Sequence, residues 1–151
     1  MTKMDTLSKI LSNAKLSGVY RPAQGLDEIA RAAKAAKLSI VKLDLGAVQG
    51  KSEFLARLAK ALKCPPYFGM NWDALNDCLT DLSWLDDNGR VVILINGKDF
   101  AAKNQNDFST AIDVFQAASE YWSSHAKPFW IFVYGDNDWN PGLPELPKPL
   151  P

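Results

Sequence analysis

Tyr67-Phe68-Gly69-Met70-Asn71-Trp72-Asp73-Ala74-Leu75-Asn76-Asp77-Cys78-Leu79-Thr80-Asp81-Leu82 is the stretch on which the fold of this chain turns. Counted at roughly 100° per residue, Trp72, Leu75, Cys78, Leu79 and Leu82 fall within an arc of about 120°. Asp73, Asp77 and Asp81 stand at i, i+4 and i+8 on the other side, stacked a turn apart. The pattern predicts a helix over 71–82, seated on its apolar side and showing carboxylates on the other. Asn71 suits the N-cap, and Asp73 in the first turn matches the helix dipole. Asp77 and Asp81 have no such excuse, because like charges at this spacing destabilise a helix by roughly 0.2–0.5 kcal/mol per pair. An ordinary solvated face is one reading of the row. A surface kept acidic for a basic partner is the other.

Charge along the chain favours the second reading. Between Lys63 and Arg90 there are five aspartates and no basic residue. Residues 1–63 carry +7, residues 64–89 carry −5 and residues 90–151 carry −2, so the net charge of zero describes a bipolar chain.

The same stretch resembles the helix of the barstar family, the proteinaceous inhibitors of microbial ribonucleases. The family pattern runs aromatic pair, Gly, a variable residue, Asn, an apolar residue, Asp-Ala-Leu, a variable residue, Asp-Cys-Leu, and residues 67–79 follow it throughout. The order of elements extends the resemblance over about 39–135. It implies that Asp73 and Asp77 are presented to a nuclease, with Tyr67 beside them. The surface offered to a partner is then Tyr67, Gly69, Asn71 and Asp73, continued by Asn76, Asp77, Thr80 and Asp81. The chain departs from the family at Asn76, often a bulky aromatic, and at Met70, where an acid can occur. It also departs in the uncharged Phe115-Gln116-Ala117-Ala118, where some relatives place an acidic contact; Asp81 is a candidate compensation.

At 151 residues and 47% hydrophobic content, one domain with an ample core is expected. Working outward from the acidic stretch, Phe54, Leu55, Leu58, Ala59 and Leu62 predict a helix over 52–63 with Ser52 as N-cap, ended by Pro65-Pro66. Ser39 to Leu45 alternates as a strand. Arg90 to Asn96 and Pro128 to Tyr134 are apolar runs typical of parallel strands buried on both faces. Between them, a turn near Asp99-Phe100 precedes a helix over 107–123. Residues 3–14 and 26–37 read as amphipathic helices, and 17–20 as a candidate fourth strand. The fold class is α/β, a small barstar-like domain whose three or four mainly parallel strands are packed with helices. Residues 1–38 read as an N-terminal helical extension packed on a domain over 39–135. Residues 136–151, with five prolines in the last eleven positions, read as a polyproline-like tail, dispensable unless Trp139, the one residue able to do so, docks back on the domain.

Enzyme classes find little support. No phosphate-cradling glycine loop, nucleophile elbow, paired metal-ligand histidines or CxxC occurs. Exposed carboxylates one turn apart lack the cleft and supporting contacts of catalysis or tight metal binding. No cofactor or metal is expected, and the lone His125 is placed at a surface turn. Cys78 reads as a small buried hydrophobe, and a reducing compartment disfavours its pairing with Cys64. With no leader-like segment and no apolar run of membrane-spanning length, the chain is read as cytoplasmic. The expected partner is a basic secreted ribonuclease or related toxin, bound 1:1 by a monomer, with no membrane and no direct nucleic-acid contact. Two alternatives remain: a non-inhibitory module for another basic protein, and an RNA-binding protein using the basic N-terminal region.

Overall fold

Residues 129–133, Phe-Trp-Ile-Phe-Val, are buried throughout, and this central strand explains the layering on both sides of it. The computed structural model describes residues 6–64, 71–81, 88–135 and 139–146. In chain order it contains α1 (Thr6–Leu11), a 3-10 turn (Ala14–Leu16), β1 (Val19–Tyr20), α2 (Leu26–Ala35), β2 (Ser39–Asp44) and α3 (Lys51–Ala61). There follow α4 (Trp72–Leu79), β3 (Arg90–Ile95), α5 (Lys98–Lys103), α6 (Gln105–Ser124) and β4 (Phe129–Val133). The four strands form an all-parallel sheet in the order β1-β4-β3-β2. Val92 lies opposite Val41 on one side and Ile131 on the other.

Alternation along the inner strands sorts the core into two halves. Val92, Leu94, Phe129, Ile131 and Val133 face a cluster with α3, α4, α5 and α6. Val91, Ile93, Trp130 and Phe132 face a second cluster with α1 and α2. Strands covered on both faces are continuous apolar runs for this reason. β2 and the short β1 are the edge strands, and on β2 Ile40 is 40% exposed. The parallel architecture and the fourth strand agree with expectation.

Boundaries moved in several places. α3 begins at Lys51 with Gly50 at its N-cap, so Ser52 lies inside the helix. The predicted turn near Asp99 is a helix, α5. The segment before residue 38 packs on the sheet, with Leu11, Ile29, Ala32 and Ala33 sharing one core with residues of β3 and β4. Aromatic polar groups stitch this part down: the Trp130 indole donates to Leu11 O at 2.8 Å, and the Tyr134 hydroxyl to Gln24 O at 2.9 Å. Burial raises the Tyr134 hydroxyl pKa well above its ordinary value, so it remains the donor in that bond.

Two features depart from the weight of the sequence reading. Cys64 and Cys78 form a disulfide with Cα atoms 5.8 Å apart, a separation ordinary for such bonds. The end of α3 is brought against the buried face of α4, and neither cysteine's local sequence carries that proximity. The second is the tail. Residues 139–146 dock on the domain, with Leu146 3% exposed in the α1/α2 core and Trp139 packed edge-on to Phe108 at 5.8 Å. Gly135 allows the approach, since a Cβ there would collide with the Trp139 carbonyl. Gly89 is needed for a similar reason. Its φ is +145°, and a Cβ would lie 2.6 Å from the Pro128 carbonyl.

Candidate functional site

Asn71 has extended backbone, and its side-chain oxygen accepts from Ala74 N at 2.7 Å, so the predicted N-cap starts α4. The helix stops sooner than its apolar pattern implied. Leu79 is its last residue, and Thr80 leaves helical geometry at φ −107°, ψ 20°. The Trp122 indole donates to Leu79 O at 2.7 Å, in a buried contact. Thr80 N and the Thr80 hydroxyl both donate to Asn76 O. The end of the helix is therefore set by a tryptophan on α6, a partner with no signal in the local sequence.

Trp122 is the structural residue that sequence reasoning missed here, since at helical spacing it looks like any other inward residue of α6. Replacing it by Phe keeps most of the packing but leaves Leu79 O without this donor. The expected result of Trp122→Phe is a loss of about 1–3 kcal/mol, read as a lower denaturant midpoint. An unchanged midpoint would show that the bond contributes little.

One side of α4 is sunk into the domain. Leu75 and Leu79 are fully buried and Cys78 is 5% exposed. Trp72 is half-buried, 6.1 Å from the Phe54 ring, with Lys51 Nζ 5.7 Å above its own ring. The other side shows Asp73, Asn76 and Asp77, all exposed. Neither of these aspartates makes an ion pair among the described residues, where the pairs found are Arg21–Glu145 and Arg57–Glu53. The structure thus brings Asn71, Asp73, Asn76 and Asp77 onto one open face. Asp81 is half-buried beyond the helix end, its N–H directed at Cys78 O at 3.3 Å, so the expected row of three is a helical pair plus a neighbour. Thr80 spends its hydroxyl on the last turn. Tyr67 and Gly69 lie outside the described residues.

The bipolar charge is also spatial. Arg31, Lys34 and Lys37 line a shallow groove with Leu38, Ser39 and Ile40, beside the β2 edge and on the α2 side of the sheet. The acidic face belongs to the opposite layer. At the C-terminal end of β2, Asn96 donates to the Asp44 carboxylate at 2.9 Å and Gly46 N at 2.8 Å, which holds this carboxyl below its usual range. Arg57 closes the same loop by donating to the Asp44 and Gly46 carbonyls. These contacts position α3 and leave no free chemistry. His125 is exposed at the end of α6, with Nδ1 2.9 Å from Tyr121 O. Among the described residues no group of three His, Cys, Asp or Glu is placed to hold a metal ion. No helix among them is long and apolar enough to cross a membrane.

The family model described as Barstar (barnase inhibitor) matches residues 38–134. No curated protein sequence matches the chain. Among solved structures, Cdc6p from Pyrobaculum aerophilum is similar, with a TM-score of 0.50 and 16% sequence identity over 91% of this chain and 41% of that one. This chain therefore spans less than half of that protein, and a likeness at such identity concerns the fold alone.

Proposed function

Because this chain belongs to the barstar family, we propose that it inhibits a basic ribonuclease by laying the acidic face of α4 over the enzyme's active site. The observation that carries the reading is the exposed Asp73–Asn76–Asp77 face, whose two carboxylates have no ion-pair partner among the described residues. Negative potential from this face draws in a basic enzyme and speeds encounter. The carboxylates then stand where substrate phosphates would bind, pairing with Arg, Lys or His of the target. Asn71 and the segment carrying Tyr67 and Gly69 supply packing that excludes water around the charged contacts. Inhibition is occlusion, and the chain itself carries out no reaction. Protection of the cell that makes the nuclease is the role that fits, with the protein acting as a cytoplasmic monomer in a 1:1 complex.

The RNA-binding alternative is less well supported. The Arg31–Lys34–Lys37 groove has no aromatic platform among its lining residues, whereas single-strand binding stacks bases on such rings. The direct test mixes the purified chain with secreted basic ribonucleases and follows RNA cleavage together with 1:1 binding by calorimetry. Stoichiometric loss of cleavage is expected for the cognate enzyme. Persistent cleavage with no complex, across every such enzyme tried, sinks the inhibitor reading. The association rate should also fall steeply with ionic strength while dissociation changes much less, because charges of this kind are screened over about 8 Å at physiological salt. A salt-insensitive association rate removes steering from the mechanism.

A further inference from the structure

The Cys64–Cys78 disulfide joins the residue just beyond the last turn of α3 to the buried face of α4, with a sequence separation of 14. The span it closes contains Asn71, Asp73, Asn76 and Asp77. α4 has only 8 residues, too few to persist as a helix alone in water, and its two exposed carboxylates repel each other a turn apart. Its shape therefore depends on attachments: the Asn71 cap, the burial of Leu75 and Leu79, the Trp122 indole on Leu79 O, and the disulfide. Of these, the disulfide is the covalent one, and the redox state of the surroundings can open it without any change of sequence.

We propose that Cys64–Cys78 is a redox clamp on α4. Oxidised, it offers the acidic face preformed; reduced, it leaves that face to be ordered during binding. The consequence for affinity rests on the inhibitor reading, while the clamp itself does not. The half-buried Cys64 is the accessible end of the bond, since Cys78 lies in the core. A thiolate of a dithiol reductant attacks Cys64 Sγ, and the S–S electron pair leaves on Cys78 Sγ, which takes a proton. The reductant's second thiolate then attacks its own sulfur in the mixed disulfide and releases Cys64, which takes a second proton. Two electrons and two protons have moved, and the dithiol ends as a disulfide. A reducing cytoplasm favours the open clamp and an oxidising compartment the closed one.

Opening acts locally for a structural reason. α3 keeps Phe54, Leu55 and Leu58 in the core, and the sheet contains neither cysteine. α4 is the short element left with fewer restraints. A binder that must order its contact segment loses affinity relative to a preformed one.

The test uses the full chain in three forms: oxidised, reduced with dithiothreitol, and Cys64→Ala. Hydrogen exchange reports on the Leu75–Thr80 amides, with β3 amides as the internal reference, and calorimetry reports binding to the ribonuclease. On reduction we expect two newly titratable thiols, exchange in α4 about tenfold faster with β3 unchanged, and a complex about tenfold weaker. Cys64→Ala should match the reduced form whatever the redox conditions. Equal α4 exchange in oxidised and reduced protein overturns the clamp, and equal affinity for a ribonuclease that both forms bind overturns its consequence for binding. Faster α4 exchange on reduction, with no ribonuclease bound by either form, supports the clamp and removes the inhibitor reading instead.

Discussion

Truncation after Gly135 is expected to lower the melting temperature by roughly 10 °C, corresponding to about 3 kcal/mol for a chain of this size. The proline-rich composition of the tail suggests the opposite, but the packing decides. Leu146 is 3% exposed among the residues of α1, α2 and the sheet. Removing a buried leucine side chain usually costs about 2–5 kcal/mol. Trp139 adds its edge-on contact with Phe108, and Arg21 N donates to Pro144 O at 2.8 Å. The Arg21–Glu145 pair at 3.2 Å is solvent-accessible, Glu145 more so than Arg21, so little is assigned to it. The single variants Leu146→Ala and Trp139→Ala should divide the loss between the two ends of the docked segment. Melting unchanged by truncation would mean that these contacts form without contributing to stability.

Asp77→Ala is expected to weaken the ribonuclease complex by about 2 kcal/mol or more, the general hot-spot threshold rather than a value carried over from the barnase–barstar pair itself. Asp77 sits between Asp73, a turn earlier, and Asp81, just past the helix end. A partner covering this face desolvates the middle carboxylate most. Removing it strands the cation that it pairs with, and that penalty adds to the lost attraction. Asp73→Ala should cost less, since Asp73 lies in the first turn at the margin of the face. Free of partner, Asp77→Ala should be as stable as the parent or slightly more so, because one like-charge repulsion is relieved. Small, equal losses at Asp73, Asp77 and Asp81 would replace the hot-spot picture with diffuse steering. A large drop in melting temperature for Asp77→Ala would show that this carboxylate has a structural role absent from its exposed environment.

Much of this protein was legible residue by residue, and the reason is periodicity. β3 and β4 are apolar along their whole length because both faces are covered, and that property is written into each run without reference to its neighbours. Leu75, Cys78 and Leu79 are buried while Asp73 and Asp77 are exposed, as the helical repeat requires. Asn71 caps its helix through its own side chain three residues away. Each of these features depends on residues within a turn or two of one another, so the amino-acid sequence by itself determined the inner strands, the start of α4 and the exposed Asp73–Asp77 face.

What only the tertiary structure decided rests on single, aperiodic contacts between distant segments. α4 stops at Leu79 because an indole 43 residues later reaches its carbonyl, which moved Asp81 off the helix. Cys64 pairs with Cys78 because the end of α3 meets the buried side of α4. Trp139 and Leu146 find seats on surfaces that exist only after α6, α1 and the sheet have assembled. A repeating pattern announces the face it will bury. A lone tryptophan, cysteine or leucine outside such a pattern has no partner until the rest of the molecule has created one, and its role is settled by shape.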